Sequence, residues 1–180
     1  MPRIFPTLAA VALAALALAA CSPAFNWRDV RPENTRLSLL LPCKPDKAQK
    51  TVPMGGQPTA LNMLACDAGG ATFAVAFADL GDAAKAARVL TQWQGLTLAN
   101  MKAAAAGAGA SQVLPLKLAG ADSPPAPVLV KALGQRADGS AVQGHAAYFA
   151  QGAQVFQVVL YADQVAPELS ETFFASLKFE

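Results

Sequence analysis

The chain has 180 residues and a nearly balanced charge, with 14 Lys and Arg against 12 Asp and Glu and a formal net charge of +2. A protein that binds nucleic acid neutralises phosphates with a dense basic surface. This balance therefore excludes the usual basic nucleic-acid-binding protein, and we expect no nucleic-acid partner. About 160 residues remain after an N-terminal leader is set aside, which fits a single domain with its own buried core.

The N-terminal segment is apolar. Arg3 precedes a stretch, residues 4–18, that only Pro6 and Thr7 interrupt. It is shorter than the roughly 20 apolar residues that span a bilayer, and it predicts a signal peptide over residues 1–20. The run Leu18-Ala19-Ala20-Cys21 resembles the lipobox of bacterial lipoproteins. This resemblance implies cleavage before Cys21 and lipidation of its thiol, with palmitate among the acyl chains, whereas an ordinary secretory cut after Ala20 is the alternative.

The predicted anchor has consequences for location. Ser22, not Asp, follows Cys21, which resembles the pattern of lipoproteins sorted to the outer membrane. We therefore expect a cell-envelope protein anchored in the outer membrane and facing the periplasm, with the membrane as its first partner. Residues 21–34 lack a regular apolar period and predict a short tether with one anchoring contact from Phe25 or Trp27. Residues 35–180 form the predicted single domain, close to the bilayer.

Two further cysteines, Cys43 and Cys66, complete the total of three. An exported chain meets an oxidising compartment in which paired thiols become disulfides, so we predict that they are bonded to each other. The alternatives are a redox pair or a metal site. Their spacing is not C-x-x-C, and a single His leaves zinc without a plausible ligand set. We expect no metal and no cofactor.

The first half of the domain predicts strands. Leu37, Leu39 and Leu41 alternate until Pro42, and residues 48–53 and 59–66 flank the Gly55-Gly56 turn. After a second turn at Gly69-Gly70, a strand alternates perfectly between two faces. One face carries Phe73, Val75 and Phe77, and the other carries Ala74, Ala76 and Ala78.

A long helix is predicted next. Asp82 is its predicted N-cap, and the helix should reach about residue 106 and end near Gly107. Gly95 is a weak point inside it. The apolar residues recur near the helical period and predict a buried stripe of Ala86, Val89, Leu90, Trp93, Leu96 and Met101.

The second half predicts a meander and a terminal helix. Strands are expected over residues 111–118, 128–136, 141–149 and 155–161, and Asp138-Gly139 is a strong hairpin signal between the second and third. Residues 155–161 are apolar on both faces and predict a central strand. The last helix should begin near residues 163–167, with Leu169, Phe173 and Leu177 as its apolar stripe.

This order of elements predicts an α+β fold, an antiparallel sheet flanked by helices. The segments LSLLLPCKP, FAVAFADL and ETFFASLKF, in this order, are similar to the PsbP/Mog1-like α/β/α sandwich over residues 36–179. Within that fold the chain resembles uncharacterised proteobacterial lipoproteins with the same paired cysteines. The resemblance implies a protein that binds or helps to assemble complexes rather than an enzyme, and it implies no site residue.

Catalytic signatures are weak. His145 is the only histidine, and alternation places it in a strand on the face of Ala147 and Phe149. Such a residue is typical of a surface or hydrogen-bonded position, and a hydrolase using it would need a Ser, Asp or Glu within hydrogen-bond reach. There is no G-x-S-x-G elbow. Asp79 and Asp82 bracket a strand-to-helix turn and are explained by capping, so we expect no catalytic residue.

The sequence thus predicts a lipid-anchored, non-catalytic envelope protein that binds an envelope protein partner or helps to assemble a complex. The alternative is a module that binds a small apolar or amphiphilic ligand between the long helix and the alanine face of the sheet. A cleft beside Trp93 would favour this alternative, and a solid core there would count against it.

Overall fold

A computed structural model describes residues 24–104, 109–121 and 124–180. The predicted signal peptide and Cys21 lie outside the described residues. The described elements are β1 Arg28–Val30, β2 Leu37–Leu41, β3 Asp46–Met54, β4 Gln57–Ala68, β5 Ala71–Asp79, a 3-10 turn Ala83–Lys85, α1 Ala86–Asn100, β6 Gln112–Pro115, β7 Val128–Gln135, β8 Ala141–Gln151, β9 Gln154–Ala162, α2 Pro167–Ala175 and β10 Lys178–Phe179.

The main sheet has seven strands in the order β3-β4-β5-β9-β8-β7-β6, and every neighbouring pair is antiparallel. A smaller sheet has the order β1-β2-β10. The predicted α+β class with an antiparallel sheet is confirmed. The central position of β9 is also confirmed, and its apolar side chains on both faces are the reason that it lies in the middle.

Each face of the main sheet has its own core. On one face α2 and the smaller sheet, with β2 at its centre, cover an aromatic cluster. In this cluster Phe73, Phe149, Phe156 and Phe173 are fully buried. On the other face α1 covers part of the alanine side of β5, at Ala76 and Ala78, and Val89 and Leu90 are buried there. The two faces of β5 therefore serve two different cores, as the alternation of Phe and Ala predicted.

The predicted helix is correct at its start and wrong at its end. Asp82 caps the first turn, where its Oδ1 accepts a hydrogen bond from the Ala84 N–H at 2.9 Å. The α-helix ends at Asn100 instead of near residue 106, because Lys102 adopts a left-handed conformation with a φ of 50°. Met101 is buried as predicted, but Leu96 is 63% exposed. The predicted end near Gly107 lies outside the described residues.

Two other predicted segments differ from the structure. The strand expected over residues 111–118 is limited to Gln112–Pro115, because its partner β7 begins at Val128, after a proline-containing loop that cannot continue the ladder. The predicted tether contains strand β1, which pairs with β2. Phe25 and Trp27 both pack near Phe73, with ring-centroid distances of 6.4 and 6.0 Å.

The predicted disulfide is present. Cys43, just before β3, is bonded to Cys66 in β4. In the described part of the chain, no helix has the length and apolar composition needed to cross a bilayer.

Candidate binding groove

Helix α1 is too narrow to cover the sheet beneath it. Seven strands spaced about 4.8 Å apart make a sheet roughly 30 Å wide, whereas a helix with its side chains is about 10 Å across. The helix packs mainly on β8 and β9. Part of the same sheet face, on β3, β4 and β5, therefore remains uncovered.

A groove of about 530 Å³ runs along the uncovered side of α1. Trp93 and Thr97 form part of its helix wall, and Met63, Ala76 and Tyr161 lie on the sheet side. A second, strongly apolar groove of about 310 Å³ shares Met63, Ala76, Gln157 and Tyr161 with the first. The two volumes are within the range of about 300 to 1,000 Å³ that is typical of small-molecule sites.

The alanines form the floor of the smaller groove, which has no residue of α1 in its lining. Ala65 and Ala74 are cross-strand partners there, as are Met63 and Ala76 in the adjacent row, and methyl side chains leave space above the sheet. Ala74 is half-buried although it lies in an inner strand. The alanine face is thus partly covered and partly open, and Trp93 stands half-buried at the boundary.

A neutral polar cluster lies at the helix side of the groove. The Gln157 amide donates hydrogen bonds to Thr97 Oγ1 at 2.8 Å and to the Tyr148 hydroxyl at 2.9 Å. Burial raises the pKa of Tyr148, and burial with a smaller contribution from Tyr148 raises the pKa of Tyr161 to about 12. Both phenols are therefore neutral hydrogen-bonding groups at physiological pH.

Few charged side chains line these two grooves. Lys50 and Arg136 line the larger groove, and no Asp or Glu is among its described lining residues. Arg136 is ion-paired to Asp163 at 2.7 Å. The smaller groove has Asp46 and Lys47 in its lining. Linings that combine apolar side chains with a few polar and charged ones suit an amphiphilic molecule better than a fully polar one.

His145 has the hydrogen-bond partner that a hydrolase would require. Its Nδ1 lies 2.8 Å from the Oγ of Ser170, in the first half of α2. Lys131 is the cross-strand neighbour of His145 on β7. Burial, and secondly the charge of Lys131, lower the pKa of His145 to about 4. The imidazole is therefore neutral at physiological pH.

The surroundings of this pair favour a structural role. Ser170 is only 6% exposed, so its oxygen has little room to meet a substrate. Among the described residues, no carboxylate is hydrogen-bonded to the His145 ring, which a triad needs to orient its base. The contact links α2 to β8 and gives the buried Ser170 hydroxyl and the His145 Nδ1 a hydrogen-bond partner.

The acidic pair Asp79 and Asp82 has local structural roles. Asp79 accepts a hydrogen bond from the Gly81 N–H at 2.8 Å, and Asp82 caps the following turn. Neither faces the grooves beside α1. Among the described residues, no cluster of three or more His, Cys, Asp or Glu could hold a metal ion.

The sequence predicts this groove only in outline, through Trp93 and the alanine face. Met63, Gln157 and Tyr161 come together through the register of three strands, which no local sequence pattern indicates. Another groove of about 490 Å³, on the opposite face, is lined mainly by polar and charged side chains such as Arg31, Glu33 and Lys47.

No protein-family model matches this chain, and no significant match was found among curated proteins.

Proposed function

We propose that this protein is a lipid-anchored, non-catalytic protein of the cell envelope that binds a small amphiphilic ligand in the groove beside α1. Its anchor is Cys21, and its location is the outer membrane, facing the periplasm. The observation that carries the binding proposal is the pair of adjoining grooves, the larger bordered by Trp93 and the smaller floored by alanines, which share Met63, Ala76, Gln157 and Tyr161. An aliphatic chain on this floor would bury apolar area on both partners, which stabilises the complex by about 25 cal/mol per Å² before the costs of association.

The polar contacts suit the other end of such a ligand. Gln157, Thr97 and Tyr161 can exchange hydrogen bonds with a headgroup, and Lys50 supplies a cation without an acidic side chain in the same lining. A single-chain amphiphile with an anionic headgroup, such as a fatty acid, is the chemistry that this lining favours.

The finer fold assignment is part of the proposal. The helices α1 and α2 pack on opposite faces of the seven-stranded sheet, which is the layer order of an α/β/α sandwich. Together with the order of the elements along the chain, this supports a PsbP/Mog1-like domain. A domain of this kind is consistent with the proposed binding role, which requires no catalytic residue.

The binding test uses the mature chain from Ser22 onward with Trp27→Phe, so that Trp93 is its only tryptophan. Laurate is added below its micelle concentration while the fluorescence of Trp93 is recorded. We expect a saturable change, because Trp93 borders the groove. The aliphatic chain of laurate is expected to reach from the larger groove into the smaller one, so Ala74→Leu, which adds three carbons to the floor of the smaller groove, should weaken binding at least tenfold.

The matched control is Ala87→Leu, which adds the same group on the exposed side of α1. It should bind laurate like the parent protein. The binding proposal is wrong if the parent shows no saturable response, or if Ala74→Leu binds as tightly as Ala87→Leu.

A second candidate, docking of an envelope protein, is favoured by the β6 edge of the sheet. Val113 and Leu133 are 53% and 51% exposed, and β6 contains no charged residue. The opposite edge, β3, contains Lys47 and Lys50, which discourage strand pairing. A photocrosslinker at Val113, but not one at Thr51 on β3, should then capture one stoichiometric envelope protein in cells.

A further inference from the structure

The N-terminal segment is fixed to one end of the main sheet. Phe25 lies against Gly69 in the β4–β5 turn, where a Cβ on Gly69 would come within 2.5 Å of the Phe25 ring. Gly69 also has a φ of +57°, so both the close approach of Phe25 and the backbone conformation favour glycine in this turn. The Phe25 ring stacks on Trp27 with centroids 6.0 Å apart, and Trp27 meets Phe73 edge-on at 6.0 Å.

This attachment limits the distance to the anchor. Cys21 precedes Phe25 by four residues, and an extended chain covers at most about 3.5 Å per residue, or about 14 Å in all. Strand β5 has nine residues and is therefore about 30 Å long. A lipid on Cys21 thus holds the β4–β5 turn close to the bilayer, and the other end of the sheet about 30 Å further along the strands.

The larger groove reaches the same end of the sheet. Thr72, two residues after the turn, is paired with Tyr161 on β9, and both line the groove. Residues 135–137, where β7 leads into the β7–β8 turn, complete this end of its lining. The groove and the tether are therefore close neighbours on the molecule, although they contact opposite faces of the sheet.

We propose that the end of the sheet formed by the β4–β5 and β7–β8 turns faces the bilayer, and that the groove receives its ligand directly from the membrane. This inference rests on the proposed lipidation of Cys21. An acyl chain that passes from the bilayer into a groove at its surface avoids complete exposure to water, which is the main barrier to moving an amphiphile. The lipid surface is thus the partner of this end of the domain.

The test measures the height of two matched sites above the membrane. Ala141→Cys, at the start of β8, lies at the end with the β4–β5 turn, and Ala84→Cys lies at the far end, after β5. Both alanines are exposed. The full lipidated protein carrying either thiol is labelled with a donor fluorophore and reconstituted in phosphatidylcholine vesicles that contain an acceptor lipid.

We expect energy transfer from position 141 to exceed that from position 84 at least twofold. Insertion of a twelve-residue Gly-Ser spacer between Pro23 and Ala24 should remove most of this difference, because the domain is then free to turn. Equal transfer from the two sites, or greater transfer from position 84, would overturn the inference.

The same samples separate this inference from the proposals on which it rests. Mass spectrometry of the N-terminal peptide shows whether Cys21 carries lipid, and an unmodified Cys21 would overturn both the anchor and the orientation. The energy-transfer difference could be found while laurate does not bind to the mature chain. In that case the orientation of the membrane-facing end stands, and direct ligand uptake is refuted together with the groove proposal.

Discussion

Replacing both Cys43 and Cys66 by Ala is expected to lower the free energy of unfolding by about 3 kcal/mol. The two cysteines are 23 residues apart in the sequence, and the chain-entropy relation gives about 3 kcal/mol at 25 °C for a loop of that length. Alanine is preferred to serine because both positions are half-buried, and a hydroxyl without a partner there would add its own cost. For a domain of this size the melting temperature should fall by about 6 to 12 °C.

The loss should be concentrated at one edge of the sheet. Among the described strands, β3 pairs only with β4, and the disulfide joins the segment before β3 to β4 itself. Without the bond, β3 can separate while the inner strands remain paired. Amide hydrogen exchange should therefore show lost protection in residues 46–54 before any loss in β9.

The assay is urea unfolding of the oxidised mature chain and of the double variant, followed by circular dichroism. The wild-type chain treated with a reductant is the control, and it should match the double variant within about 1 kcal/mol, since both lack the same cross-link. A loss below about 1 kcal/mol would refute the entropy argument, and an even loss of protection across the sheet would refute the separate opening of β3.

The remaining predictions concern His145 and two glycines. Because the pKa of His145 is about 4 in the folded protein and 6.5 in its ordinary state, the unfolded chain binds more protons between these values. The neutral His145 side chain therefore contributes its full stability above about pH 6.5, and this contribution is lost as the pH falls towards 4. His145→Gln should reduce the stability difference between pH 7.5 and 4.5 by about 1 to 2 kcal/mol, after allowance for partial exposure; an unchanged difference would contradict the assigned pKa. The pair Gly95→Ala and Gly144→Ala should shift stability in opposite directions in urea unfolding. Gly95 is in an exposed helical position with open space around it, so alanine should stabilise by about 1 kcal/mol. At Gly144 a Cβ would lie 2.8 Å from the Tyr161 ring, so alanine should destabilise by about 1 to 3 kcal/mol; equal effects would mean that this packing is loose.

Local chemistry was sufficient for most of the strands. The Asp138-Gly139 pair predicted the β7–β8 hairpin, and Gly139 has the positive φ that such a turn requires. The alternation in β5 predicted two faces with different packing, and the two apolar faces of β9 predicted its central place. These features follow from side-chain period and turn geometry, which act between residues close in sequence.

Contacts between distant residues were not predictable in the same way. The buried side of the last turn of α1 depends on Gly134 and Gly144, which admit Met101 to the sheet, and neither glycine is near the helix in sequence. Ser170 reaches His145 across 25 residues, and no pattern indicated that pairing. Strands β1 and β10 are two or three residues long, too short to show a period.

Residue types and short-range spacing were sufficient to predict the α+β class, the strand alternation, the turns and the pairing of the two cysteines. The resemblance around Cys21 supplied the expected address. By contrast, no local pattern indicates that α1 leaves part of the alanine face open, or that Phe25 holds the tether at the β4–β5 turn. Both depend on the width of a seven-stranded sheet and on its register, and these exist only after strands far apart in the chain have paired.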